Sequence, residues 1–237
     1  MHNVNDTFYT RMLEEWPYEP GKLSARVVQD SYGTPRLQVR VQLGILQMEL
    51  SGRPDGAPAV FEAMPRTDVG SLSLEQCRVL HQEAAMHAYR ALVCSSLDLH
   101  EQVVTDASRN LEVMEFMITH SIEDGPRRTA LGLRVQLLMM RVRARASLAL
   151  AADDRSLART VLEEGLAQVK NALEAAGFAG DPEAATEIKL LRDMMDVLIP
   201  KLPSSQRHEI ELRLKAAIEV ENYELAAILT NELRQLF

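Results

Sequence analysis

SLEQCRVLHQEAAMHAYRALVC, Ser73–Cys94, is the stretch from which the fold can be read. Ser73 with Gln76 three residues on forms a capping box, in which each side chain satisfies a backbone N–H that the first helical turn leaves unpaired. The pair predicts a helix from there to about Cys94. Similar signals recur downstream. Asp98 with Glu101 predicts a helix to about Ser121, and Gly125-Pro126 sets a proline at the first position of another, to about Ala151. Asp153-Asp154 open a fourth, closed near Ala176 by Gly177 and Gly180, and Asp181-Pro182-Glu183 begin a fifth that stops before Pro200. Short connections make four long helices antiparallel neighbours. The predicted class is mainly α: an antiparallel helical bundle or a tetratricopeptide-like stack of helical hairpins. The hairpins starting at Ser73 and Pro126 are 53 residues apart. That repeat has a period of about 34, so the stack remains one layout among several.

The first 60 or so residues differ in kind. In Arg36–Ile45, Leu37, Val39, Val41, Leu43 and Ile45 alternate with Arg36, Gln38, Arg40, Gln42 and Gly44, the period-two pattern of a half-buried strand. Leu23–Gln29 precedes it across the turn Asp30–Pro35, giving an N-terminal β-hairpin. A lone hairpin is marginal in water, so it should lie against helices, with Trp16, Pro17 and Tyr18 as a lid. Gly52-Arg-Pro-Asp-Gly56 reads as a tight turn with Pro54 well placed. Arg53 and Asp55 could instead serve a ligand, since charged loop residues on a scaffold often do. Residues 57–72, rich in Ala, Pro, Gly, Asp and Ser, read as a linker. The domains expected are 1–60, 73–200 and 204–237.

The end of the chain, Leu212–Leu236, is LRLKAAIEVENYELAAILTNELRQL. At 100° per residue, Ile210, Leu214, Ala217 and Ile218 share one face of its first helix. In its second helix, Tyr223, Leu225, Ala226, Ala227, Ile228, Leu229, Leu233 and Leu236 occupy an arc of roughly 260°, against the ~100° stripe of a surface helix. One sister helix cannot cover that arc, and so short a segment seldom folds alone. Pro200 and Pro203 set it off as a separable module.

Leu214, Ala217-Ile218, Glu221-Asn222-Tyr223-Glu224, Ala226-Ala227 and Leu233-x-x-Leu236 resemble the UVR motif, the helical hairpin at the C-terminus of UvrB, within UvrC and in some regulators of Clp-type proteases. Thr230-Asn231 stands where many members have Arg-Asp. The resemblance implies association through hairpin-to-hairpin packing and no catalysis. The partner is another UVR-type hairpin, in a homodimer or a heteromer, with a link to UvrB/UvrC-type excision repair or Clp regulation. The contact surface would be Ile210, Leu214, Ala217, Ile218, Tyr223, Ala226, Ala227, Leu229, Leu233 and Leu236. The segment Leu43–Gly56, LGILQMELSGRPDG, also resembles a stretch in uncharacterised bacterial proteins that end in this motif; it implies no activity.

Composition narrows the remaining classes. The chain is 46% hydrophobic but only 5% aromatic, and its net charge of −8 argues against a global drive toward nucleic acid or anionic membrane. No apolar run is long enough to span a bilayer, and no secretory leader is visible, so a cytoplasmic protein is expected. Cys77 and Cys94 lie too far apart on one helix to bridge, and no C-x-x-C pair suggests zinc. No metal-ligand, nucleotide-loop or nucleophile-elbow motif appears, so neither cofactor nor catalysis is expected. Glu83 and His87, i and i+4, read as a surface pair. Six arginines fall between Pro126 and Ala152, of which Arg134, Arg141 and Arg145 share a face. They could form a phosphate stripe for a repair accessory. The plainer reading pairs them with acids such as Asp106, Glu112, Glu115, Glu163 and Glu164, because Arg suits forked pairing. A third function is a ligand-binding helical domain with its site at the Gly52–Gly56 loop.

Overall fold

The structure, a computed structural model, describes residues 4–64, 72–198, 204–219, 225 and 229–230. Among them are helices α1 (Val4–Glu15), α2 (Val60–Ala63), α3 (Leu74–Ser96), α4 (His100–His120), α5 (Asp124–Ala151), α6 (Arg155–Ala175), α7 (Thr186–Leu198) and α8 (Ser204–Glu219), and strands β1 (Ser24–Gln29), β2 (Pro35–Val41) and β3 (Gly44–Glu49). The chain is mainly helical with a small antiparallel sheet near its N-terminus. It divides after Ile188 into two compact units.

In the first unit the capping box forms as the sequence predicts: Ser73 Oγ accepts from Gln76 N–H, and Gln76 Oε1 accepts from Ser73 N–H. Asp154 caps α6 by accepting from Leu157 N–H, and Gly177 follows its end with φ +78°, a left-handed conformation open to glycine. Asp98 does not cap α4. It adopts φ +56°, and Leu99 precedes the helix without a side-chain cap. Pro126 is the third residue of α5, not the first, still within the turn whose N–H groups lack helical partners. Asp181 caps a 3₁₀ turn, Pro182–Ala184, and α7 starts only at Thr186.

Helix α3 packs on α4, α4 on α5, and α5 on α6. The α5–α6 approach is close because Gly165 has no side chain: a Cβ there would lie 2.4 Å from Val142 Cγ1. A parallel bridge between Leu72 and Ser121, with Leu72 N–H donating to His120 O, joins the start of α3 to the end of α4.

The expected β-hairpin is a three-stranded meander in the order β1-β2-β3. Leu37 and Val39 are buried as the alternation predicts. The strand then stops at Val41, and the chain turns through Gln42-Leu43, so that Leu43 is exposed and Gly44 opposes Val41. The residues read as the end of one strand belong to two, because the same pattern continued across a two-residue connection. Leu37, Val39 and Met48 form a core with Ala91, Val93, Cys94, Val103 and Ala144. Trp16 donates from Nε1 to Ser24 Oγ, and its carbonyl accepts from Arg40 Nε. The stretch read as a linker contains α2, whose Phe61 enters a second core with Leu80, Val113, Met114 and Met117.

In the second unit Ala217 and Leu229 are buried together, with Ile210 and Leu214 packed against them. Ile218, expected on that face, is exposed, as are Leu212 and Leu225. Tyr223, Ala226, Ala227, Leu233, Leu236 and the Pro200–Pro203 break lie outside the described residues. No helix among the described residues is long and apolar enough to cross a membrane.

Candidate functional site

A buried polar cluster lies between α3 and α4. On α3, Cys77, Leu80, Ala84, Ala91 and Cys94 form the buried stripe, and Glu83, His87 and Arg90 lie within it at helical spacing. On α4, Asp106 and Asn110 occupy the same kind of position among Val103, Val113 and Met117. Glu83, His87, Arg90, Asp106 and Asn110 are each 1–3% exposed. Burying charge is costly unless it is paired and hydrogen-bonded, and these groups are. Arg90 grips Asp106 through Nε (2.9 Å) and Nη2 (2.6 Å), while its Nη1 donates to the Glu49 carbonyl of β3 at 2.8 Å. One guanidinium therefore ties α3, α4 and the sheet together. Glu83 accepts from the backbone N–H of Val60 and Phe61 at the start of α2 and from Arg109, whose other contacts reach both oxygens of Glu62. Asn110 donates to Ala84 O at 2.8 Å.

His87 Nδ1 lies 2.9 Å from Asp106 Oδ1. Burial pushes the Asp106 carboxyl upward, but hydrogen bonds from Arg90, His87 and Gln102 outweigh it and hold the group below the ordinary carboxylate range. Burial also raises the neighbouring Cys94 thiol to about 11, with the Asp106 charge adding to the effect, so this cysteine is not a ready nucleophile.

Beside the cluster is a cavity of about 410 Å³, lined by Ser51–Arg53 before α2, by His87 and Arg90 on α3, and by Gln102, Thr105, Asp106 and Arg109 on α4, with Ala59 and Glu62. Gly52 and Arg53 of the Gly52–Gly56 turn border this cavity, although Arg53 and Asp55 mostly serve the turn itself. Arg53 Nε sits 2.9 Å from Asp55 Oδ1, its Nη1 donates to Pro58 O, and Asp55 accepts from Ala57 N–H.

Glu83 and His87 are not a surface pair. Both are buried, and each binds a different partner. Arg134 pairs with Glu115 at 3.5 Å, and Arg141 donates to Gln168 Oε1 at 2.9 Å; Arg145 is exposed. Burial, with Arg145 and Arg134 nearby, lowers the Arg141 pKa. The groove along Arg134 and Arg141 also carries Glu112 and Glu115, which repel phosphate. Of the other acids named as partners for the stripe, Asp106 is held by Arg90 and Glu163 pairs with Arg159. Sequence reasoning missed Asn110 and Arg90, and named Asp106 only as an acid for the arginine stripe. Their signal was polar residues in register with an apolar helical stripe. Among the described residues no group of three His, Cys, Asp or Glu side chains could hold a metal ion.

Comparison with known proteins gives no match to this chain: no family model, no curated protein and no solved structure.

Proposed function

We propose that this is a non-enzymatic adaptor that associates through its C-terminal hairpin with another hairpin of the UVR type, in the first instance that of a second copy. The observation that carries this reading is how the small apolar core of the second unit is divided. Ala217 and Leu229 are buried with Ile210 and Leu214 around them, while Leu212 and Ile218 remain 54% and 53% exposed. Leu229 packs near Ala217 although 12 residues of continuous helix would separate them by about 18 Å. That proximity supports the hairpin reading. One such pair offers too little core to be self-sufficient, and joining two would bury a surface of at most the ordinary interface size, about 1,200–2,000 Å². Excision repair and Clp-protease control are the settings that the motif resemblance suggests for a heteromeric partner.

The test uses the full chain beside a Leu212→Glu/Ile218→Glu variant, which leaves the four packed residues untouched. Light scattering over a concentration series should give a dimer that the variant loses, and pull-downs should lose their hairpin-bearing proteins in parallel. A wild-type monomer at about 100 μM, together with identical captures by both forms, overturns the proposal.

A further inference from the structure

His87 is 3% exposed and lines the cavity, and its Nε2 is buried without a hydrogen-bond partner. A buried polar atom left in that state is destabilising. Its partners elsewhere decide its chemistry. Asp106 is ionised and can only accept, so Nδ1 at 2.9 Å from Oδ1 must carry a proton. Arg90 Nη2 also comes within 3.2 Å of Nδ1, but it donates to the same Asp106 oxygen at 2.6 Å, so the two donors converge on a shared acceptor. In the neutral ring Nε2 is consequently a lone pair awaiting a donor.

The charges around the cavity are already matched. Arg53 pairs with Asp55, Arg90 with Asp106, and Arg109 with Glu62 and Glu83, so three guanidiniums face four carboxylates. Among the described residues that line the cavity, every guanidinium has a carboxylate beside it. The remaining lining, Ser51, Gly52, Ala59, Gln102 and Thr105, is uncharged. A volume of about 410 Å³ falls within the ~300–1,000 Å³ typical of small-molecule sites.

We infer that the cavity between the Ser51–Arg53 turn and helices α3 and α4 binds an uncharged, polar small molecule that donates an N–H or O–H to His87 Nε2. Arg90 and Asp106 act here as positioning residues, fixing the ring and its tautomer. The inference stands apart from the tail, so either can fail without the other.

The test is a two-bond ¹H–¹⁵N spectrum of the full chain labelled at histidine, with the His87 signals assigned by their loss in His87→Gln. Adenosine and myo-inositol serve as uncharged probes and inorganic phosphate as the anionic one. The unliganded spectrum should show Nδ1 protonated and Nε2 bare. At least one uncharged probe, at up to about 10 mM, should move the Nε2 resonance saturably, and phosphate should not. In His87→Leu the affinity measured by calorimetry for that probe should fall at least tenfold. The spectrum is read on the unaltered chain, so a variant that fails to fold does not decide the outcome. A protonated Nε2, no movement with either uncharged probe, or equal movement with phosphate overturns the inference.

Discussion

The α3–α4 interface and the small core beside α8 treat the residues that fit least well in opposite ways. Between α3 and α4, five polar or charged side chains are enclosed and almost every donor and acceptor is satisfied, largely by Arg90, Asp106 and Arg109. Beside α8 the core formed by the described residues is apolar, and Leu212 and Ile218 are left outside. The first arrangement fixes one geometry, because a forked pair tolerates little displacement. The second leaves apolar surface in water, where its burial by another molecule releases roughly 25 cal/mol per Å². The body is thus built for precision, whereas α8 keeps apolar side chains in solvent.

Arg90→Ala is the sharpest way to break the contrast. It leaves Asp106 buried with its main cation gone, and removing one member of a buried pair costs about 3–5 kcal/mol. Urea unfolding followed by circular dichroism should show that loss in the body transition. The pH dependence adds a signed prediction. Because the folded-state pKa of Asp106 is depressed, its stabilising contribution is complete above the ordinary carboxylate range and disappears as pH falls through the lowered value. Asp106→Asn should flatten that part of the acid-unfolding curve, whatever it does to stability at neutral pH.

A smaller effect is expected at the α5–α6 contact. Gly165→Ala forces a methyl group against Val142 and should cost about 1–3 kcal/mol. Adding Val142→Ala should relieve the overlap, giving a double variant less unstable than the sum of the singles. Ser73→Ala removes a cap and should cost about 1 kcal/mol, read as a lower midpoint with an unchanged denaturant slope. Smallest for folding are Leu212→Ser and Ile218→Ser, within about 0.5 kcal/mol as befits exposed positions. If either unfolds the chain instead, the tail is core-like and the contrast dissolves.

The helices were legible because their signals are local. Ser73 with Gln76, and Asp154 before α6, act on backbone groups within one turn, and the structure reproduces both caps. Asp98 was misread since an acidic residue before a helix serves a cap or a left-handed turn equally well, and the connection geometry selected the turn. Leu43 was misread for a related reason: alternation records the pleat but not where the chain reverses. The i, i+4 spacing of Glu83 and His87 fits a surface pair as well as a buried one. Only the arrival of Asp106 and Arg109 from α4, and of the Val60 and Phe61 N–H groups from α2, makes their burial affordable.

By itself the sequence determined that most of this chain is helical, that helices open after Ser73 and Asp154, and that Leu37 and Val39 lie on the buried face of a strand; capping, glycine placement and hydrophobic period are short-range properties. The tertiary structure decided which polar residues of α3 face inward, that the Gly52 turn borders a cavity, and which nitrogen of His87 is left without a partner. Those outcomes depend on partners 16 or more residues away, and the energy of a buried charge is set by its neighbours rather than by its own identity.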